Sequence, residues 1–156
     1  MRALLLCLAA CLLAGCDSFS PSDALPALPN ATADLAVLQS ADGWIVVAAV
    51  SGGEAIQFPS GAFPVYFSAD GMLSGRIPPN AYTGEYTASE DGSLAVSDRF
   101  VSTLISESEE SRRLGGILLQ ELSQATRFEI EGPTLQVRSA DGDGVRLGRL
   151  SVQEAR

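Results

Sequence analysis

Arg127-Phe128-Glu129-Ile130-Glu131-Gly132-Pro133-Thr134-Leu135-Gln136-Val137-Arg138-Ser139-Ala140-Asp141-Gly142-Asp143-Gly144-Val145-Arg146-Leu147 is the stretch that decides the fold. Phe128 and Ile130 alternate with Arg127, Glu129 and Glu131. After Gly132-Pro133, Leu135 and Val137 alternate with Thr134, Gln136 and Arg138. After Asp141-Gly142-Asp143-Gly144, Val145 and Leu147 flank Arg146. A period of two is that of a strand, and the breaks carry turn residues, so the stretch reads as a three-strand antiparallel meander. One face is apolar and the other charged, which is how an antiparallel sheet covers a core on one side.

Working back along the chain, Leu114, Leu118 and Leu122 recur at helical spacing, with Ile117 on the same face. Ser106-x-x-Glu109 has the spacing of a capping box, and Glu107, Glu109 and Glu110 suit the positive end of a helix. Gly115 and Gly116 interrupt the pattern; they either let the helix approach a sheet closely or mark a late helix start. Earlier still, Trp44-Ile45-Val46-Val47-Ala48-Ala49-Val50 is short, apolar and β-branched between Asp42-Gly43 and Gly52-Gly53, as expected of a strand buried on both faces. Phe63 to Ser68 reads as another strand, turning at Asp70-Gly71 into Met72–Gly75. Gly84–Thr87 and Leu94–Val96 flank Asp91-Gly92 in a further hairpin. Two-residue hairpin turns with positive φ at both central positions fit these Asp-Gly pairs. Strands, one principal helix and more strands give an α+β expectation: a mostly antiparallel sheet with the helix packed on it. Phe128, Ile130, Leu135, Val137, Val145 and Leu147 should share a core with Leu114, Leu118 and Leu122.

The N-terminus has Arg2, an apolar run over residues 3–12, and Leu13-Ala14-Gly15-Cys16. This resembles a bacterial lipobox, with residues 1–15 as signal peptide and Cys16 as the lipidated first mature residue, carrying acyl chains such as palmitate. The run is too short to span a bilayer. Residues 16–37, with Pro21, Pro26 and Pro29, read as a lipid-anchored tether, of which residues 17–34 would reach roughly 50–60 Å if extended. A domain over 38–150 and a tail over 151–156 complete the organisation. The expected location is the cell envelope, anchored to a membrane and exposed outside the cytoplasm. Asp17 matches the inner-membrane retention pattern of enteric bacteria, a rule that does not extend to all phyla.

Removing residues 1–15 leaves 141 of the 156 residues, enough for one domain with a real core. The cysteines lie at 7, 11 and 16, so the mature domain has no free thiol and no disulfide. Arg2 is lost and all 19 acidic residues stay, which takes the mature side-chain charge to −10. Such a domain repels phosphates, and no nucleic-acid partner is expected. The chain has no His and no Lys. Ser-His-Asp and Cys-His catalysis, Schiff-base chemistry and His or Cys zinc sites are therefore outside its reach. Carboxylates remain, with Tyr and Arg as helpers.

From Trp44 onward the order of motifs resembles the META family, including the HslJ-like envelope lipoproteins, over roughly residues 38–148. The resemblance rests on Trp44 in a first strand, Val65-Tyr66-Phe67 running into Asp70-Gly71, Gly75 to Asn80, Gly84-Glu85-Tyr86, Thr103 before a Glu-rich helix start, and Phe128-Glu129-Ile130-Glu131-Gly132-Pro133-Thr134-Leu135. Many members carry Gly-Cys-Asn after the hairpin and a second Cys before the helix. Here Arg76-Ile77-Pro78-Pro79-Asn80 has no Cys, so a family disulfide or redox role does not carry over. The family has no agreed catalytic activity. The resemblance implies an accessory envelope domain, with links to envelope stress among its members.

Asp141-x-Asp143-Gly144 opens like a calcium loop, but position 12 counted from Asp141 is Val152, so a hairpin turn is the simpler reading and no metal is expected. Glu107, Glu109 and Glu110 could form a glycosidase-like pair, against which helix capping already accounts for all three. Trp44 reads as core. Arg76, Asn80, Tyr82 and Tyr86 form the candidate recognition surface, since two prolines stiffen the loop and the aromatics offer contact area at low entropy cost. The expected function is a non-enzymatic, membrane-anchored accessory lipoprotein without a cofactor, whose partners are the membrane through Cys16 and an envelope protein or small ligand. The alternative is a carboxylate-only hydrolase of the envelope.

Overall fold

Residues 25–103, 105 and 107–150 are described by the computed structural model; residues 1–15, expected to be a signal peptide, with Cys16, Ser106 and the tail over 151–156, lie outside the described residues. A short helix α1 (Leu35–Leu38) leads into β1 (Trp44–Ser51), β2 (Glu54–Gln57), β3 (Pro64–Phe67), β4 (Met72–Ile77), β5 (Asn80–Ala88), β6 (Leu94–Val96) and β7 (Val101–Ser102). The long helix α2 (Glu109–Ser123) follows, and then β8 (Arg127–Glu131), β9 (Thr134–Arg138) and β10 (Gly144–Arg149). All the pairings are antiparallel, in the order β6-β5-β4-β3-β1-β10-β9-β8, with β2 on β1 and β7 on β5. The first and last strands of that path meet. Ser93 bridges Arg127, Leu94 N donates to Thr126 O at 3.0 Å, and Phe128 N donates to Gly92 O at 2.9 Å. The result is a nearly closed, barrel-like sheet with one main helix, more β than the α+β expectation conveys.

The meander places its apolar face as read. Phe128, Ile130, Leu135, Val137, Val145 and Leu147 share one core with Leu114, Leu118 and Leu122 of α2. The helix touches β1, β4, β6 and β10, strands from both halves of the sheet, so it lies across the concave face. Gly115 is why it can come so close: a Cβ there would stand 2.5 Å from Ile77 Cγ2, whereas at Gly116 it would meet open space. Close packing on the sheet therefore explains Gly115. The N-cap is Ser108, whose hydroxyl accepts from Ser111 N at 3.1 Å, two residues later than the expected capping box.

Trp44 and Val46 point into the core, but so does Ala49, because a bulge between Val46 and Ala48 reverses the pleat. Val47 is displaced outward by the same bulge, 38% exposed, while its neighbours in β1 are buried or nearly so. Gly52-Gly53 does not end the sheet region but turns β1 into β2, a strand that carries no alternation in its sequence Glu54-Ala55-Ile56-Gln57.

The Asp-Gly turns differ from the two-residue form expected. Ser-x-Asp-Gly occurs at 40–43, 68–71, 89–92 and 139–142, and in every case the glycine N donates to the serine O three residues back. Among the described residues, none other than glycine has positive φ. Asp at the third position thus has negative φ, and glycine alone takes the left-handed region, which fits a type I turn closed by a bulge. At three of the four, the serine N also donates across the turn: Ser68 N to Met72 O, Ser89 N to Ser93 O and Ser139 N to Asp143 O, at 2.9–3.1 Å.

The second half of the expected tether belongs to the folded body. Leu25 is 5% exposed, Thr32 exchanges backbone hydrogen bonds with Ile130 at 2.8 Å, and α1 caps the barrel where Trp44 Nε1 donates to Leu38 O at 3.0 Å. Docking costs the segment its chain entropy, and the burial of Leu25 and Leu38 with these bonds offsets that cost.

Candidate recognition surface

Arg76, Asn80, Tyr82 and Tyr86 do not form one exposed face. β5 alternates strictly: Asn80, Tyr82, Gly84 and Tyr86 point inward, and Ala81, Thr83, Glu85 and Thr87 point outward. Arg76 faces outward on β4, opposite Ala81 in register. The tyrosines are therefore on the opposite side of the sheet from the arginine. Tyr82 is 1% exposed, stacked edge-on to Phe100 with centroids 5.9 Å apart, and desolvation pushes its phenol well above the usual range. Its hydroxyl has no partner among the described residues. Tyr86 is edge-on to Phe67 at 5.1 Å; its Oη donates to Ser68 O at 2.8 Å and accepts from Gln39 Nε2 at 3.0 Å. Burial raises this phenol also, with the Gln39 bond working the other way. Both rings are core. The sequence signal for this was the period of two across 80, 82, 84 and 86, which aromatic clustering masked.

Asn80 has a different task. Its Oδ1 accepts from Ile105 N at 2.8 Å and from Thr103 Oγ1 at 3.0 Å, and its Nδ2 donates to Ile105 O at 3.0 Å and Glu107 Oε2 at 3.3 Å. Thr103 Oγ1 in turn accepts from Ala81 N at 3.0 Å. One buried amide thus fixes the irregular approach to α2, meeting the backbone's need for partners where no ladder can. Beside it, Glu107 and Arg112 form an ion pair at 3.6 Å.

These residues line an open groove of roughly 490 Å³ between the β4–β5 turn, residues 102–107 and the start of α2, with Ile77, Thr103, Ile105 and Leu119 as further walls. Ile105 is 57% exposed at its rim, and Val101 in the adjoining edge strand β7 is 73% exposed. A second open groove, roughly 540 Å³, runs along Met72, Glu85, Tyr86, Thr87 and Val96. The first has the more specific chemistry: an exposed guanidinium, a half-buried carboxylate and apolar rims. Apart from Asn80, sequence reading missed it as a site, because Thr103, Ile105 and Glu107 are brought together by tertiary bonds to Asn80, and Arg112 joins them through its ion pair with Glu107.

The remaining acids have structural posts. Asp143 accepts from Gly52 N at 2.6 Å and Gly53 N at 3.3 Å, tying the β9–β10 turn to the β1–β2 turn. Asp141 accepts from the Ser139 hydroxyl, which holds its pKa below the usual carboxylate value, and the pKa of Asp91 is lowered to about 2 by Ser93 and Ser89. Glu121 of α2 is 1% exposed; burial raises its carboxyl, a bond from Ser51 opposes this, and Asp143 and Asp141 add to the rise. One of its oxygens has no partner among the described residues. No three acidic side chains converge to hold a metal among the described residues. Glu109 and Glu110 are exposed in the first turn of α2.

The META domain model matches residues 36–151. The chain belongs to the META domain family. Its fold is similar to that of a protein from Burkholderia xenovorans determined by NMR: TM-score 0.61, 22% identity, covering 83% of this chain and 96% of that one. It is also similar to a DUF4847 family protein from Bacteroides vulgatus ATCC 8482: TM-score 0.54, 12% identity, covering 76% of this chain and 98% of that one. At these identities the likeness concerns the fold alone. No curated protein matches the sequence. The matched residues leave the docked segment 25–35 outside.

Proposed function

We propose that this META domain protein is an envelope accessory lipoprotein, tethered to a membrane through acylated Cys16, that acts by binding and not by catalysis. The observation carrying the anchoring is Arg2, the apolar run and Leu13-Ala14-Gly15-Cys16 in that order. No helix among the described residues is long and apolar enough to cross a membrane. Cys16→Ser should leave an unprocessed precursor that is released from membranes. Mass spectrometry finding an unmodified Cys16 in the wild-type membrane fraction overturns this reading.

Binding is supported by the Asn80 groove. It combines area, apolar rims and one exposed cation, while its polar floor is already satisfied internally, so a ligand need not neutralise a buried charge. The partner expected is an envelope protein segment presenting an apolar side chain for Ile105 and Leu119 and a carboxylate for Arg112. Crosslinking in intact envelopes followed by capture tests it: Ile105→Ser with Arg112→Glu should lose the partner and keep the melting temperature. Capture unchanged by the double variant rules the groove out.

A further inference from the structure

We propose that residues 25–32 form a strap held on the outer face of β8 and β9 by Arg138 and Gln136, and that this docking sets how far the domain stands from its membrane. Arg138 Nη1 donates to Leu25 O and Nη2 to Pro26 O, each at 2.8 Å. Gln136 Nε2 donates to the same Pro26 O at 3.0 Å, and Gln136 Oε1 accepts from Arg138. Glu129 lies 3.7 Å from Arg138 Nε. Further along, Asn30 N and Nδ2 both donate to Glu131 Oε1, at 3.3 and 3.0 Å, and Thr32 bridges Ile130.

The strap explains a feature of the sheet that is otherwise anomalous. Gln136 sits at an outward position of β9, between Leu135 and Val137 of the core, yet it is 0% exposed. An outward amide is sealed only because Pro26 and its neighbours lie over it. At Thr32 the strap also covers the part of the β8 edge, at Ile130, that lies beyond the contacts with Gly92 and Ser93, where unpaired backbone would invite pairing with another chain. Proline at 26 and 29 suits a segment that gives its carbonyls to side chains and needs no ladder donors of its own.

The consequence concerns reach, and it rests on the anchoring of Cys16 proposed above. A fully free leader would let the domain roam roughly 50–60 Å from the bilayer. With Leu25 docked beside Arg138, nine Cα–Cα steps separate the anchor from the barrel, a span of about 30 Å at full extension. The face carrying Arg138 and the turn at 139–142 is then the one nearest the membrane.

Proteoliposomes carrying the mature, acylated protein test this. Ala140 is exposed in the turn after Arg138, and Cys16 is the one cysteine left after processing, so Ala140→Cys takes a dye at a single site. Energy transfer to headgroup acceptors should fall at least twofold when Arg138→Ala or Leu25→Asp is added. Unchanged transfer in both, with native circular dichroism, overturns the proposal. The strap alone is read in full-length Cys16→Ser, which cannot be acylated. The Thr32 and Ile130 amides should be protected there and exchange at least tenfold faster in Arg138→Ala or in Leu25→Asp. Leu25→Asp leaves the sheet residues untouched, so it reads the strap even where Arg138→Ala fails to fold. Equal exchange in both variants overturns the strap. Intact protection together with a protein that does not partition into vesicles overturns the anchoring and the standoff, and locates the failure there.

Discussion

Two arginine–glutamate pairs stand at almost the same separation, Arg112–Glu107 at 3.6 Å and Arg138–Glu129 at 3.7 Å, and they do different work. The Arg112 side chain is 67% exposed at the rim of a groove. That of Arg138 is 18% exposed beneath the strap and spends its other nitrogens on two backbone carbonyls and Gln136. Coulomb attraction at a given distance is weakened by solvent in the first case and far less in the second. Yet the buried guanidinium also lost more hydration, and its Nε has no hydrogen-bond partner among the described residues, so its value lies in the carbonyls that its two Nη atoms reach, not in the ion pair alone. Distance does not separate the two pairs; burial and the number of hydrogen bonds do. The exposed one leaves a cation available to a partner, and the buried one fastens a segment of the chain.

The largest loss should come from neither pair. Phe128 lies on β8 beside Glu129 but faces inward, and is 0% exposed. Phe128→Ala should cost about 3–5 kcal/mol, a large part of the stability of a domain without disulfides. A thermal melt that does not move would break the assignment of the shared core. Arg138→Ala comes next. It leaves the Leu25 and Pro26 carbonyls and the Gln136 side chain short of partners, at about 2–3 kcal/mol for charge-assisted bonds. Urea unfolding showing less than half a kcal/mol would place Arg138 with the exposed pair and erase the contrast.

Asn80→Ala sharpens the other side of the comparison. Ile105 N and Thr103 Oγ1 lose their acceptor, and the expected cost is about 2 kcal/mol, with loss of order confined to residues 102–107. Amide exchange that speeds only in that segment fits; uniform change across the barrel does not.

How much was legible follows the same division. The meander could be read because its strands obey a strict period and its faces differ in polarity, so Phe128 through Leu147 declared both strand and core. β5 obeyed the period as well, but two prolines and two tyrosines drew the reading toward a surface, and Tyr82 and Tyr86 proved internal. β1 was recognised as a buried strand while its bulge at Val47 was not, since a single inserted residue leaves a wholly apolar run looking the same. Ser-x-Asp-Gly was visible four times in the sequence, though the Asp-Gly pair alone suggested a tighter turn than the serine permits. The groove and the strap were not legible. They depend on Asn80 meeting residues 25 positions away and on Arg138 meeting Leu25, 113 positions away. Hydrophobic period carries no record of such polar pairings.

Glu121 gives a smaller effect with a definite sign. It faces Ser51 of β1 and Asp141 and Asp143 of the β9–β10 turn, and its folded carboxyl holds a proton more tightly than the ordinary value of 4.5. The folded state thus binds more protons than the unfolded one between those two values. Its stabilising contribution is fully present below pH 4.5 and is lost as pH rises through the folded value. Glu121→Gln should remove that fall and raise the melting temperature at neutral pH. A variant whose pH profile superimposes on wild type would show that Glu121 is not the group responsible.

The smallest effect on stability should be that of Arg112→Ala, and it is the most telling. Only the exposed pair with Glu107 is lost, and Glu107 keeps its bond from Asn80. Exposed pairs contribute about 0–1 kcal/mol because two long side chains must be held in one geometry against water and salt. The melt should shift by less than about 2 °C, or roughly 0.5 kcal/mol for a domain of this size. Raising salt from low to physiological strength should erase even that, since exposed charges are screened. The same salt change should leave Arg138→Ala nearly as damaging as before, because its hydrogen-bond acceptors are neutral carbonyls. Measuring both variants across one salt series therefore separates a cation kept for a partner from a cation used up in the fold. If the two respond to salt alike, the comparison fails, and the groove at Arg112 has no better claim to a ligand than the covered face at Arg138.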